Sequence, residues 1–177
     1  MILYHGSTQE VRDPKVNYSK KHGDFGRGFY VTENKDQSII WAQKKQYRTK
    51  GDKAIVSAYE FELPARACVK VFATPDEEWL DFVVDCRNHH CKSPYDVVVG
   101  PIADDGVSEI LSFYEGGVYT KEEALKRLKI EDTYTQQVFL KQEICNELRF
   151  LESIDVSLPP RRQSQQKGRS KDEREQI

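Results

Sequence analysis

The sequence predicts an α+β domain, and three patterns along the chain support this fold class. Residues 54–63 alternate between two faces, one of them mainly apolar, as in a strand that buries one side. Apolar residues recur at near-helical spacing after Asn34 and again after Pro75. Residues 95–99 form a short β-branched apolar run, which is typical of a fully buried strand. Because strands lie at both ends with helices between them, α+β is the natural class.

The first half of the chain is predicted to contain two short strands, a helix and the long strand. Residues 2–4 and 29–31 are short apolar runs beside glycines and polar residues, which indicates strands. Asn34 is a suitable cap for a helix over residues 34–48. The apolar face of that helix, with Trp41 expected in the core, is Ile39, Ile40, Trp41 and Tyr47.

The second half is predicted to contain three helices and four strands. Pro75 and the carboxylates after it favour a helix start, because proline fits the first turn and acidic side chains interact well with its positive end. A turn or short helix is expected around residues 141–147. The predicted helices cover residues 75–88, 103–114 and 122–128, and the predicted strands cover 69–72, 95–99, 137–141 and 148–154.

Composition limits the classes of function and location. The formal net charge of −2 gives no overall attraction to nucleic acid or to an anionic membrane. No apolar run reaches the ~20 residues that a membrane span needs, and no signal peptide is recognisable. Four cysteines without a disulfide-framework spacing are expected to be reduced thiols. The sequence therefore predicts a cytoplasmic protein with no membrane partner.

The chain is predicted to be one domain over residues 1–157 with a polar, basic tail over residues 158–177. The stretch from Pro159 onwards has no aromatic residue and one aliphatic residue, so it cannot bury enough surface to order itself. Its basic residues leave open a second interpretation, a weak tether for nucleic acid or another partner.

One cysteine motif invites a metal interpretation. Residues 86–91 read Cys-x2-His-His-Cys, which contains typical zinc ligands. Four ligands within six consecutive residues can hardly surround one ion tetrahedrally, and no second ligand cluster exists in the sequence. The end of a helix followed by a polar loop is the better account, so no metal is expected.

Two stretches near the start carry the candidate binding residues. His5-Gly6-Ser7 ends the first strand, and the glycine-rich turn of residues 23–28 leads into the strand at Phe29. Glycines let a ligand approach the backbone, and Arg27 is either a diphosphate contact or a solvated arginine in a turn. The turn is not a Rossmann fingerprint, because the preceding strand, the third glycine and the following helix are missing. The residues alone indicate either a cleft or two ordinary strand ends.

The motifs of the chain, taken in order, resemble a known family. They are His5-Gly6-Ser7, Phe25-Gly26-Arg27-Gly28-Phe29-Tyr30-Val31-Thr32, Gln37 to Ala42, Tyr95 to Asp105 and Gln136 to Phe139. Together they resemble a bacterial family of domains of unknown function and, through it, the ADP-ribosyltransferases of the histidine–tyrosine branch. Diphtheria toxin and poly-ADP-ribose polymerase belong to that branch. The resemblance covers roughly residues 2–150.

The resemblance implies a split, mostly antiparallel sheet with flanking helices and with NAD bound in the cleft as a substrate. His5 would then hydrogen-bond the adenosine-side ribose, the Gly6 backbone would pair with the nicotinamide carboxamide, and Tyr30 would stack on the nicotinamide ring. Such a site fits a reaction that builds positive charge on the ribose while the leaving group becomes neutral. The remaining candidate NAD-binding residues are Ser7, Gly26, Arg27, Gly28, Phe29 and Thr32.

The third catalytic position departs from the wider superfamily, which often has a glutamate at the start of a late strand. The matching residue here is Gln136, with Gln137 as the second choice. Glutamine can hydrogen-bond the ribose 2′-hydroxyl but cannot supply a carboxylate. Asp104 and Asp105 are alternative carboxylates, although capping of a helix N-terminus explains them better.

The expected function is mono-ADP-ribosylation of a macromolecular acceptor, protein or nucleic acid, by a toxin or defence effector. A cognate antitoxin is then a further candidate partner. Two alternatives remain open: an NAD glycohydrolase that uses water as the acceptor, and a non-catalytic module that binds NAD or a partner.

Overall fold

The structure, a computed structural model, describes residues 1–18, 23–88, 93–103, 105–129 and 134–159. These described ranges contain seven strands and five helices in mixed order, consistent with the predicted α+β class. In chain order the elements are β1 (Ile2–Ser7), β2 (Phe29–Val31), α1 (Lys35–Thr49), β3 (Ile55–Glu60), β4 (Val69–Val71), α2 (Glu77–Arg87), β5 (Val97–Pro101), α3 (Asp105–Glu115), α4 (Lys121–Leu128), β6 (Thr135–Phe139), α5 (Gln142–Cys145) and β7 (Arg149–Asp155).

The strands form two sheets that meet at one point. The first sheet has the order β1-β3-β7 and is antiparallel throughout. The second has the order β2-β6-β5-β4, in which the β4–β5 pair is parallel and the other pairs are antiparallel. The edge strands β1 and β2 are linked by the bridge between Tyr4 and Thr32. The arrangement is therefore two mainly antiparallel sheets whose facing edges diverge beyond one pair of residues.

Three apolar clusters hold these layers together. Leu3 and Tyr59 of the first sheet pack with Phe29 and Phe139 of the second, so one cluster lies between the sheets. A second cluster joins the other face of the second sheet to α2, α3 and α4, with Trp79 completely buried in it. A smaller third cluster lies where α1 covers the first sheet. Helices thus cover the outer faces, and the split between β1 and β2 opens at the edge of the inner layer.

Helix α1 forms where predicted, with the Asn34 side chain accepting a hydrogen bond from the backbone of Gln37, but it buries a different face. The prediction that Trp41 lies in the core is wrong, because its side chain is 51% exposed. The buried residues are small or polar, among them Ser38 and Ala42. A Cβ atom on Gly6 would lie 2.3 Å from the Ser38 carbonyl oxygen, so the helix backbone rests directly on β1. Bulky side chains cannot fit at such a contact and turn outwards instead.

The other boundaries agree with the predictions to within a few residues. Helix α4 starts with a capping box, in which Thr120 and Glu123 each satisfy the other's backbone N–H. The short helix expected around residues 141–147 is α5. The chain remains attached to α1 after β7, since the Leu158 N–H donates to the Gln46 side chain at 3.0 Å. The tail predicted over residues 158–177 lies almost entirely outside the described residues.

The cysteines differ from the expectation in one respect. Cys86 is disulfide-bonded, whereas Cys68 and Cys145 are free. The expectation of reduced thiols is therefore wrong for Cys86, because spacing along the chain does not reveal which thiols are neighbours in space. Most of the Cys86–Cys91 motif, the alternative zinc site, lies outside the described residues. Within the described ranges, no group of three or more potential metal-ligating side chains is present and no helix is long and apolar enough to span a membrane.

Candidate functional site

The split between the sheets begins directly after the bridge that joins them. The Tyr4 N–H donates to the Thr32 carbonyl at 2.8 Å, and the Thr32 N–H donates to the Tyr4 carbonyl at 3.0 Å. Backbone groups two residues apart in a strand point to the same side. The Tyr30 carbonyl on β2 therefore faces β1, and the Gly6 N–H and C=O on β1 face β2. In a continuous antiparallel sheet, the next backbone hydrogen bonds between β1 and β2 would join Gly6 and Tyr30.

The side chain of His5, rather than the Gly6 N–H, binds the Tyr30 carbonyl. Its Nδ1 atom lies 2.7 Å from the Tyr30 carbonyl oxygen, and its ring stacks on Phe29 with centroids 4.4 Å apart. A carbonyl oxygen only accepts hydrogen bonds, so Nδ1 must carry the proton. The imidazole therefore takes a backbone acceptor that a continuous sheet would have used.

The same surroundings keep His5 neutral. Burial lowers the pKa of His5 to about 4, the positive charge of Lys45 acts in the same direction, and the bond to Tyr30 partly opposes them. At neutral pH the ring carries its single proton on Nδ1, and Nε2 is an unprotonated acceptor. His5 can thus accept a hydrogen bond from a ligand hydroxyl, which an imidazolium cannot do.

Gly6 offers a backbone donor and acceptor at the same edge. It is buried, and among the described strands β1 pairs continuously with β3 alone. Its N–H and C=O point away from β3 into the split, by the alternation that the Tyr4–Thr32 bridge fixes. Buried backbone groups in proteins are nearly always hydrogen-bonded. A buried pair that faces a gap is therefore well suited to a ligand with a complementary donor and acceptor.

Tyr30 lies on the other face of β2 and holds the glycine-rich turn. Its hydroxyl donates to the Gly26 carbonyl at 2.6 Å and accepts from the Phe25 N–H at 3.1 Å. Burial raises the pKa of Tyr30, so the phenol stays protonated. A Cβ atom on Gly23 would lie 2.5 Å from the Tyr30 hydroxyl oxygen, so the turn packs tightly against the ring. The structure brings His5 to the backbone of Tyr30 and directs the Tyr30 hydroxyl to the turn.

The two glutamines of β6 point to opposite faces of the second sheet. Gln136 shares the face of Val138, which pairs with Tyr30, and its amide donates to the Asp24 carboxylate at 3.1 Å. Gln137 lies opposite Val31 on the other face, and its amide donates to the Glu33 carboxylate at 2.8 Å. Both glutamines are buried. The structure thus places Gln136 on the Tyr30 side and gives Gln137 a carboxylate partner that sequence reasoning did not find.

A comparison with protein families identifies where this chain belongs. The model of the family described as "Protein of unknown function (DUF3990)" matches residues 1–150. The chain belongs to the DUF3990 family. The match spans the region over which the motifs resemble a family of domains of unknown function, so that part of the prediction is confirmed. No curated protein matches the sequence.

Asp24 organises the site of this DUF3990 domain and was missed from the sequence. Its carboxylate accepts from the guanidinium of Arg87 at 2.8 Å, from the Ala103 N–H at 3.0 Å and from the Gln136 amide at 3.1 Å. The Asp24 side chain is 15% exposed and that of Arg87 23%. One side chain thus ties the glycine-rich turn to α2, β6 and the segment before α3. Nothing in the local sequence indicates these partners, because they lie far along the chain.

The remaining predicted residues of the DUF3990 site have mainly structural contacts. Arg27 is exposed, and its guanidinium donates to the Asn17 carbonyl at 2.5 Å. The Thr32 hydroxyl accepts from the Asn34 N–H at 3.1 Å and lies 2.8 Å from the Gln37 amide oxygen, so it orders the start of α1. A Cβ atom on Gly28 would lie 2.4 Å from the Phe139 carbonyl oxygen, which requires glycine there. Asp104 and the side chain of Asp105 lie outside the described part of the chain.

Proposed function

We propose that this DUF3990 protein is an NAD-dependent mono-ADP-ribosyltransferase that transfers ADP-ribose from NAD to a macromolecular acceptor. The observation that carries the proposal is the outward-facing backbone pair of Gly6 beside the neutral imidazole of His5. A primary carboxamide has one carbonyl acceptor and an NH2 donor, so the nicotinamide amide complements the Gly6 N–H and C=O. Two such bonds would hold the ring in one orientation while its bond to the ribose breaks.

The tautomer of His5 supports a role with a ribose hydroxyl. Nδ1 is committed to the Tyr30 carbonyl at 2.7 Å, which restrains the ring and leaves Nε2 as the acceptor. A hydroxyl of the adenosine-side ribose is a suitable donor. Because the pKa of His5 is about 4, this acceptor persists at neutral pH and is lost in acid. NAD affinity should therefore fall as the pH approaches 4.

The proposed reaction breaks the bond between the ribose C1′ atom and the nicotinamide nitrogen. The bonding electron pair leaves with nicotinamide, which becomes neutral, and positive charge develops on the ribose. A nucleophile of the acceptor then bonds to C1′ and releases its proton. Hydrogen-bond acceptors that are held in place near the ribose stabilise this positive charge and so lower the activation free energy of bond cleavage. Gln136 can accept from the ribose 2′-hydroxyl, and Glu33, bound to Gln137, is a carboxylate held against the same strand.

A second candidate is a module that binds NAD without catalysis. It is favoured by Gln136, which carries no negative charge and whose buried amide already donates to Asp24. Such a module needs the same Gly6 and His5 contacts, so binding alone does not separate it from an enzyme. The products do.

The experiment measures NAD binding by calorimetry and follows nicotinamide, free ADP-ribose and labelled acceptor in bacterial extract. Labelled acceptor that depends on His5 would support the proposal. Nicotinamide matched by free ADP-ribose would identify a glycohydrolase, and binding without nicotinamide release would identify the non-catalytic module. If wild-type protein binds no NAD, both the enzyme and the NAD-binding module are refuted.

Two substitutions at His5 make the experiment specific. His5→Asn keeps a donor at the position of Nδ1 and removes the acceptor at Nε2, whereas His5→Gln does the reverse. If Nε2 binds the ribose, His5→Asn should lose NAD binding while it keeps the contact with Tyr30 and folds normally. Normal NAD binding by a folded His5→Asn protein would contradict the role given to Nε2.

The cellular part of the proposal is a toxin or defence effector that acts in the cytoplasm and is neutralised by a cognate antitoxin. Induced expression in bacterial cells should arrest growth with wild-type protein and not with His5→Asn at equal protein level. Equal growth in both cultures would argue against toxicity.

A further inference from the structure

We propose that Lys45 and Ser7 form a phosphate-binding subsite beside His5. The inference rests on the proposed binding of a pyridine dinucleotide at His5, and it adds the group that binds the ligand's negative charge. The ligand chemistry is a phosphate, either in the diphosphate bridge or on the 2′-oxygen of the adenosine ribose in NADP.

The geometry brings Lys45 to the split from the far side of β1. Lys45 belongs to α1, which packs on the outer face of the first sheet, yet its Nζ atom lies 3.3 Å from the Ser7 hydroxyl oxygen. Ser7 is 5% exposed and, two residues after His5, lies on the same face of the strand. The Lys45 ammonium group therefore contacts a side chain on the face of β1 that carries His5.

The electrostatics of Lys45 are unusual for this protein. It is partly buried, and burial lowers the pKa of its ammonium group. Among the described residues, no carboxylate forms an ion pair with it. By contrast, Lys70 and Lys121 each contact a carboxylate, and those contacts raise their pKa. Lys45 is thus a partly buried cation that hydrogen-bonds a neutral hydroxyl.

Such an arrangement favours an anionic ligand. Burial of a charge without a counter-charge costs free energy, and a bound phosphate would offset that cost with charge-assisted hydrogen bonds. The Ser7 hydroxyl can donate to the same phosphate. Lys45 also lies close enough to lower the pKa of His5, so the ammonium group and the imidazole act on one region of the ligand. If His5 binds the adenosine-side ribose, the phosphates attached to that nucleoside are within reach of the subsite.

The test compares Lys45→Met, which keeps the chain length and removes the charge, with Lys45→Arg, which keeps the charge. Lys126→Met, an exposed lysine on α4, is the matched control for net charge. The probes are NAD, NADP and inorganic pyrophosphate, with affinity measured by calorimetry and the His5 pKa by NMR titration. Lys45→Met should weaken binding roughly 10- to 100-fold, as expected for loss of a charged hydrogen bond. Lys45→Arg should retain most of the affinity, and Lys126→Met all of it.

The arms of the experiment separate the two phosphates. Equal weakening of NAD and NADP binding by Lys45→Met identifies the diphosphate, and weakening of NADP alone identifies the 2′-phosphate. Pyrophosphate should raise the His5 pKa in wild-type protein and not in Lys45→Met. The apo form of Lys45→Met should be at least as stable as wild type, because an uncompensated cation has been removed, so a loss of affinity would not reflect unfolding.

The subsite is overturned if Lys45→Met binds NAD, NADP and pyrophosphate as wild type does, even though the proposed function would then stand. If wild-type protein binds pyrophosphate through Lys45 but binds no dinucleotide, the proposed function fails and an anion site remains. If wild-type protein binds none of the three probes, both proposals are refuted.

Discussion

Acidification from pH 7 to pH 4 should destabilise the fold through His5 alone by about 3 kcal/mol. The ordinary pKa of histidine is 6.5, and burial lowers that of His5 to about 4 in the folded protein. A difference of about 2.5 units at about 1.4 kcal/mol per unit is about 3.5 kcal/mol in full, and about 3 kcal/mol of it is lost by pH 4, where His5 of the folded protein is half protonated. Between the two pKa values the unfolded chain binds more protons, so stability falls as pH falls. The contribution is complete above pH 6.5 and is lost as the pH approaches 4.

The assay is urea unfolding of wild-type protein and His5→Asn at several pH values from 7 to 4. Asparagine keeps a donor for the Tyr30 carbonyl and does not titrate, so the difference between the two proteins isolates the imidazole. Carboxylates whose pKa is lowered by their contacts, such as Glu10 beside Ser153, affect both proteins equally. The stability advantage of wild type should shrink as the pH falls. A difference that is constant with pH, or an NMR titration of His5 near 6.5, would refute the reasoning.

Three further outcomes are expected from urea unfolding at neutral pH. Tyr30→Phe should cost about 1–3 kcal/mol, because the Phe25 N–H and the Gly26 carbonyl lose the hydroxyl between them; equal loss in Tyr134→Phe, whose side chain is 50% exposed, would contradict this. Asp24→Ala should cost about 3–5 kcal/mol, since it leaves the guanidinium of α2 without its partner in a largely buried position; a cost as small as that of an exposed ion pair would argue against this role. Gly6→Ala should cost about 1–3 kcal/mol and shift α1, because the new methyl group meets the helix backbone; an unchanged free energy of unfolding would show that the contact is looser than described.

The positions of the strands and helices could be predicted because their signals are local. The Asn34 cap and the alternation of residues 54–63 act within a few residues of themselves. The alternation located β3, but the expectation that only one of its sides is buried is wrong, because Ile55 to Tyr59 are all buried between neighbouring layers. The buried face of α1 could not be predicted in this way. It depends on Gly6, about thirty residues earlier, whose missing side chain selects Ser38 and Ala42 over bulkier neighbours.

In the candidate site, too, residues in local motifs could be predicted from the sequence, whereas their distant partners could not. His5, Gly6 and Tyr30 stand out in the sequence, because each belongs to a short motif with a glycine nearby. The residues that position them do not stand out in the sequence. Asp24 meets Arg87 across 63 residues, and the pairing of Gln137 with Glu33 spans 104. Lys45 has the sequence signature of any solvent-facing helical lysine, and its approach to Ser7 appears only once α1 and β1 are packed together.

The contact between His5 and Tyr30 also decides where the sheets part. The His5 imidazole donates to the Tyr30 carbonyl and therefore acts as a spacer, which prevents further backbone hydrogen bonds between β1 and β2. Without the imidazole, the Tyr30 carbonyl could accept a hydrogen bond from the Gly6 N–H, which is the next donor in the register of the Tyr4–Thr32 bridge. The separation of β1 and β2 beyond the Tyr4–Thr32 bridge therefore coincides with one imidazole ring rather than with a loop or a helix. His5, which is proposed to bind the substrate, thus also prevents β1 and β2 from pairing across the site where the substrate would bind.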